Sequence, residues 1–342
     1  MFIPRKSSLA AQWGALTLGA CLALGVGAAQ AGPTDGCTPI VLPTPTSGKD
    51  ICYGTASWLE PTLSNKKLTQ RFDFYPAASN KPTPLIIWAH PNEMSKALPT
   101  SGAMYKALVS PALAAGFSFA SLEFRHPVVN ESEASSNNGV VPHLDVARAL
   151  QYIRANAQAL NIDPANVFFV GQSRGTLALW TALQDDMADP NSSDPVARQS
   201  TRVNAVFGVN AQTTYDGLEF DSLFLVPRDR PQADADFIAQ HPYYQQFGSA
   251  IKSVNAGLLP DPAVKLRYDS KPIKHLLTYD EMLQLDYIHY ADFGLALCNA
   301  YLNAFGDTSR CLNEASTSFA DNPAAAYANY VDFFKKRLVI QP

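Results

Sequence analysis

The sequence has no basic stripe, no Cys-x-x-Cys or Cys/His cluster, and no internal repeat. Lys and Arg total 26 against 30 Asp and Glu, a net charge of −4. Nucleic acid is therefore not an expected partner, because binding its phosphates demands clustered cations. The missing Cys/His clusters leave no zinc site, and neither a metal nor an organic cofactor is implied. What remains, in 342 residues, is room for one large α/β domain or two small ones.

Residues 1–31 have the form of a secretory signal peptide: Arg5 and Lys6, an apolar stretch from about Trp13, and a small-x-small ending at Ala29-Gln30-Ala31. The apolar core is short and followed by turn formers, so no stable membrane span is expected after cleavage. Cys21 only weakly resembles a lipoprotein site, since more of the apolar run follows it. The mature chain would keep Cys37, Cys52, Cys298 and Cys311, which suggests two disulfides in an oxidising compartment, secreted or periplasmic. Three pairings are open, and the local ones, Cys37–Cys52 and Cys298–Cys311, are favoured. Residues 32–67, rich in proline, read as an extended lead-in segment.

From residue 68 the chain alternates strand and helix. LTQRFDFYPA, PLIIWAH, FSFASLEFR, VFFV and VNAVFGVNA read as strands. SGAMYKALVSPALAAG, VVPHLDVARALQYIRANAQALN and TLALWTALQDDMA read as helices. Leu144, Ala147, Leu150 and Ile153 fall on one face of the second helix. Residues 215–270 break the rhythm with an aromatic- and proline-rich insertion of lid or pocket-wall type. IKHLLTYDE then reads as a sheet strand, DFGLALCNAYLNAFG as a helix, and YANYVDFFKKRL as a closing helix. The expected fold over 68–342 is α/β: a doubly wound, mostly parallel sheet covered on both faces. Its sites belong beyond the C-terminal strand ends, where the loops at His90, His126, Gly171 and Gln212 should converge.

Gly171-Gln-Ser173-Arg-Gly175 lies between a buried strand and a helix. Glycines at both ends permit a turn tight enough to present Ser173 at the helix N-terminus, facing a developing oxyanion. The stretch VVPHLDVARALQYIRANAQALNIDPANVFFVGQSRG resembles the α/β-hydrolase fold, on the side of the carboxylesterases and feruloyl-esterase-like enzymes. Pro142, Asp145, Ile162, Asp163, Pro164, Gly171, Ser173 and Gly175 stand at the matching positions. The resemblance covers residues 68–210 well and implies ester hydrolysis through an acyl-enzyme on Ser173.

Two departures from that pattern matter. The oxyanion loop reads His90-Pro91-Asn92 where the family has His-Gly, and proline donates no N–H. The donors would be the N–H of Asn92 or Glu93 and that of Arg174, whose own side chain could bind an anionic substrate group or pair with an acid. The family's base is a late histidine, and no histidine follows His289. Of the six histidines, His289 is the first choice and His126 the second; His143, His241 and His275 fall away from the expected edge, and His90 matches a structural histidine. For the acid, Asp286 comes first and Asp216 second, with Asp280 and Glu281 as further options.

The expected function is a secreted serine hydrolase acting on small-molecule or polymeric esters, with Ser173, His289 and Asp286 as triad and Asn92 and Arg174 as oxyanion donors. The alternative is a non-catalytic binding protein of the same fold, favoured by the absent late histidine and by Pro91.

Overall fold

The computed structural model describes residues 48–127, 142–231, 244, 248–255, 262–282, 284, 285 and 289–339. The signal peptide, Cys37, His241 and Asp286 lie outside the described residues.

Eight strands form one sheet in the order β1-β2-β4-β3-β5-β6-β7-β8. They are β1 (Gly48–Glu60), β2 (Lys66–Tyr75), β3 (Thr83–Ala89), β4 (Ser118–Leu122), β5 (Ile162–Gln172), β6 (Ala205–Val209), β7 (Ala263–Tyr268) and β8 (Cys311–Ala315). β1 and β2 run antiparallel, as do β2 and β4; every other pair is parallel. The helices are α1 (Ser110–Ala114), α2 (Pro142–Ala155), α3 (Thr176–Leu183), α4 (Gly217–Phe224), α5 (Ala250–Asn255), α6 (Asp292–Phe305) and α7 (Tyr330–Lys335), with shorter turns between them.

The continuous apolar runs do what buried parallel strands require. In β3, Leu85, Ile87 and Ala89 face one core, while Ile86 and Trp88 face the other. The first core packs under α2, α3 and α6; the second is closed by α1 and α7. On α2, Ala147, Leu150 and Ile153 are buried as expected, but Leu144 is only half-buried. Its neighbour Asp145 takes the inward position because it has a partner there. Arg125 Nη2 donates to Asp145 Oδ1 at 2.6 Å and Arg125 Nε to Oδ2 at 2.9 Å, fixing the exit of β4.

Three sequence expectations need correction. First, part of the expected extended lead-in belongs to the sheet: residues 48–60 form β1, the edge strand, whose Ile51, Tyr53 and Trp58 are buried. Second, β7 lies at 263–268, inside the stretch assigned to the insertion. Third, IKHLLTYDE is not a sheet strand. Thr278 and Glu281 form a capping box, with Thr278 N donating to Glu281 Oε2 at 2.8 Å and Glu281 N to Thr278 Oγ1 at 3.2 Å. That box opens the helical turn Tyr279–Met282, while Leu277 pairs with Leu225 instead of joining the sheet.

Of the favoured disulfides, Cys298–Cys311 is formed and ties α6 to β8 across 13 residues. Cys52 is also disulfide-bonded, but its expected pairing with Cys37 rests on a residue outside the described ones. Since α6 follows directly on the loop carrying His289, the Cys298–Cys311 bridge anchors that loop from behind. Replacing both cysteines by serine should lower the free energy of unfolding by about 2–4 kcal/mol in urea titrations.

Candidate active site

The strand ends are level. Ala89 pairs with Gly171 and with Leu122, Gln172 with Val209, and Val209 with Arg267. The loops that follow therefore leave the sheet at one edge, as open α/β sheets require for a site.

At the end of β5 the chain turns sharply. Ser173 has φ +49°, a left-handed conformation that a residue with a side chain adopts only under constraint. The constraint is close packing. A Cβ on Gly171 would stand 2.3 Å from the Gly175 carbonyl oxygen, and one on Gly175 would stand 2.2 Å from that of Ala89. Strand β3, strand β5 and the start of α3 approach so nearly that both positions must be glycine. The turn leaves the Ser173 side chain half-buried at the edge.

His289 meets it. Ser173 Oγ and His289 Nε2 are 3.0 Å apart, a nucleophile–base distance. With the imidazole neutral and Nε2 unprotonated, the serine hydroxyl donates to it. His289 is brought there by the exit from β7. Asn210 Nδ2 donates to Asp269 Oδ2 at 2.8 Å, and Asp269 N donates back to Asn210 Oδ1 at 3.1 Å. Two residues past the strand, Ser270 bridges Tyr290 in parallel, which sets the neighbouring His289 at the edge. Asp292 then accepts from Ile273 N at 3.0 Å as α6 begins.

The other candidates are engaged elsewhere. His126 is buried beside Arg174; burial first, and the Arg174 charge next, push its pKa down to about 4, with Glu60 opposing. Asp216, fully buried, is the N-cap of α4: it accepts from Leu218 N at 3.0 Å and Glu219 N at 3.3 Å, and pairs with Lys252. His143 is buried at the start of α2, and burial lowers its pKa to about 4 despite a hydrogen bond with Gln184. Asp280 and His275 are exposed, and Glu281 serves the capping box. His90 is buried and holds the oxyanion loop: its ring nitrogens lie 2.9 Å from the Pro91 carbonyl oxygen and 2.9 Å from Glu123 Oε1.

Arg174 is 1% exposed and does not face a substrate. Its Nη1 donates to Glu60 Oε2 at 3.0 Å, its Nη2 donates to the Phe124 carbonyl, and its guanidinium lies 4.8 Å from the Phe124 ring centre. Of the two roles open to this side chain, pairing with an acid is the one realised. Burial pushes the Glu60 carboxyl up, but Arg174 and hydrogen bonds from Thr62 and Trp58 outweigh it and leave Glu60 below the ordinary 4.5. Sequence reasoning missed Glu60 altogether. It lies 114 positions from its partner, in a segment read as an extended lead-in, and no local pattern marks such a pair.

In the oxyanion loop, Pro91 has no N–H, and the Glu93 N–H is turned toward Thr62 Oγ1 at 3.4 Å. Asn92, the donor expected from that loop, is exposed. Arg174, the other expected donor, lies in the first turn of the elbow, where N–H groups have no intrahelical partner. Two depressions of about 470 and 490 Å³ lie elsewhere, one beside Arg154 and Arg202, the other between Lys106 and Tyr330. Neither is lined by Ser173 or His289.

The sheet order and the glycine-bracketed elbow are those of the α/β-hydrolase fold. Residues 72–222 match the family model BD-FAE, an α/β-hydrolase esterase family. No curated protein matches the sequence. Among solved structures, a truncated carbohydrate esterase from gut microbiota superposes with a TM-score of 0.54 at 17% identity, over 86% of this chain and 97% of that one. Esterase 2 of Thermogutta terrifontis, phosphonylated by sarin, gives 0.51 at 16% identity, over 84% and 97%. A bifunctional GH43-CE protein of Bacteroides eggerthii gives 0.53 at 15%, over 85% of this chain and 38% of that one. At these identities the likeness is one of fold.

Removing Glu60 should leave Arg174 buried without its counter-charge. Glu60→Ala is expected to lose about 3–5 kcal/mol of stability, whereas Glu60→Leu with Arg174→Met should recover at least half of that. Because the folded carboxyl lies below its unfolded value, its contribution is present above pH 4.5 and lost as the pH falls further. Denaturant titrations at pH 7 and pH 3.5 check both points: the wild type should weaken on acidification more than the double variant.

Proposed function

We propose that the protein is an exported serine hydrolase that cleaves carboxylic esters through an acyl-enzyme on Ser173. The observation that carries this reading is the 3.0 Å contact between Ser173 Oγ and His289 Nε2 on a strained, glycine-bracketed elbow. As Oγ attacks the ester carbonyl, its proton passes to Nε2. The oxyanion is held by the N–H groups of Asn92 and Arg174, and His289 returns the proton to the departing alcohol. Water then repeats the sequence and releases the acid. Asp286, three residues before His289, would accept from Nδ1–H and hold the ring in the required tautomer.

Export is supported by the Ala29-Gln30-Ala31 ending and by disulfide bonding at Cys298, Cys311 and Cys52. For the substrate, the segments leaving β6 and β7 expose Leu218, Leu276 and Leu285, and a T-shaped aromatic group of Trp180, Tyr215 and Tyr244 backs the first of them. These favour a bulky or apolar acyl or alcohol group. The carbohydrate esterase among the structural neighbours makes ester-decorated saccharides a second class to screen. The binding-protein alternative rested on the absent late histidine and on Pro91, and the Ser173–His289 contact weighs against the first of these grounds.

Intact-mass analysis after fluorophosphonate treatment should show one adduct on the wild type and none on Ser173→Ala. His289→Ala should lower kcat by at least about 10⁴-fold, and Asp286→Asn by about the same factor, while His126→Ala and Asp216→Asn should retain a reactive serine wherever they fold. An unlabelled wild type between pH 6 and 9 would defeat the reading.

A further inference from the structure

We infer that Glu60 and Thr62, at the end of the edge strand, are positioning residues that hold the two halves of the oxyanion hole in register. The inference rests on the serine-hydrolase reading of the site.

Topology brings them there. β1 runs antiparallel to β2 and β2 antiparallel to β4, so two reversals restore the direction of the parallel strands. The end of β1 therefore emerges at the same edge as the ends of β4, β3 and β5. Glu60, fully buried, then caps the helical turn Pro61–Leu63.

One carboxylate collects donors from both loops. Glu60 Oε2 accepts from Arg174 Nη1 at 3.0 Å and from Trp58 Nε1 at 3.3 Å. Glu60 Oε1 accepts from Thr62 Oγ1 at 2.7 Å and from Thr62 N at 3.4 Å. The Thr62 hydroxyl donates its hydrogen bond to Glu60, which leaves its oxygen as an acceptor, and the Glu93 N–H donates to it at 3.4 Å. Every donor in the chain points toward the one negative charge. From one side the chain ends on the residue after Ser173. From the other it ends on the residue after Asn92.

This link does a job that the sequence leaves open. A glycine loop can shape itself around an oxyanion, but His90-Pro91-Asn92-Glu93 cannot. Pro91 fixes its own φ, and Glu93 is held at φ +60°, a left-handed conformation disfavoured for a residue with a side chain. An outside tether is needed to keep Glu93 in that conformation and so aim the preceding Asn92 N–H. Thr62 supplies it, and Glu60 fixes Thr62 relative to Arg174. Donors held this way act on charge that develops only during reaction, so loosening them affects turnover before binding.

The test uses Thr62, because Glu60 variants also lose a buried counter-charge. Thr62→Val removes the hydroxyl at nearly constant volume; Thr62→Ser keeps it. With p-nitrophenyl acetate as probe, Thr62→Val should lower kcat about ten- to hundred-fold with KM within about twofold, and Thr62→Ser should stay near wild type. Amide hydrogen exchange over residues 90–96 should quicken in Thr62→Val and not in Thr62→Ser. Wild-type kcat in Thr62→Val, unchanged exchange over 90–96, or an equal loss in Thr62→Ser would overturn the inference. Ser173→Ala assayed beside them separates the two claims. If it is as active as wild type, or if wild type is inactive, the serine-hydrolase reading fails, and the exchange measurement alone decides whether Thr62 tethers the loop.

Discussion

The close approach of three backbones at the end of the central strands governs the site. Gly171 lies against the Gly175 carbonyl and Gly175 against that of Ala89, each closer than any Cβ permits. Ala89 is the last residue of β3, and the loop beginning at His90 follows it. The contact that forces Ser173 to φ +49° therefore also fixes the root of the oxyanion loop. Ser173 and the proposed oxyanion donors share one rigid origin, so their separation does not depend on flexible segments.

Past that origin, polar contacts take over from glycine. Each loop at the edge is tied down by a buried group from elsewhere in the fold. His90 bridges Pro91 and Glu123; Asp145 holds Arg125; Glu60 holds Arg174 and Thr62; Asn210 holds Asp269. Buried charges of this kind are weak contributors to net stability, since desolvation offsets most of their attraction. Their effect is geometric, because an ion pair such as Arg125–Asp145, with two parallel hydrogen bonds, tolerates little displacement. An active edge built from loops needs such fixed points more than it needs added stability.

What was legible in the sequence follows from the range of the interactions. The five strands from 68 to 210, the helices between them and the elbow carry local signals: apolar runs, helical periodicity and bracketing glycines. Ser173 at the edge and the disulfide between Cys298 and Cys311 could be read in the same way. β1 escaped because its apolar residues are spaced by glycine and polar positions, and its place as an edge strand exists only once β2 is there to pair with. β7 and the stretch 273–281 exchanged roles: both are short and mixed, and the Thr278–Glu281 capping box was the one local cue that separated them. Glu60 could not be found at all, since its charge partner Arg174 lies 114 positions along the chain.

The displacement of the histidine has a simple spatial account. The family pattern expects its base after the last strand, yet here the chain after β8 runs into Ser316 and a short turn at Thr317–Phe319. His289 instead belongs to the loop after β7. β7 and β8 are hydrogen-bonded neighbours, with Tyr268 level with Ala315, so the two loops leave the sheet about one strand spacing, roughly 5 Å, apart. An imidazole needs only a modest change of loop path to reach the serine from either origin. What must be conserved is the meeting of Nε2 with Oγ, since a triad is defined by geometry and roles, not by chain position. The cost of the shift is that one loop must then carry both the proposed base and its proposed acid, and this loop is the one anchored by the Ser270–Tyr290 bridge, by Asp292 and, through α6, by the Cys298–Cys311 disulfide.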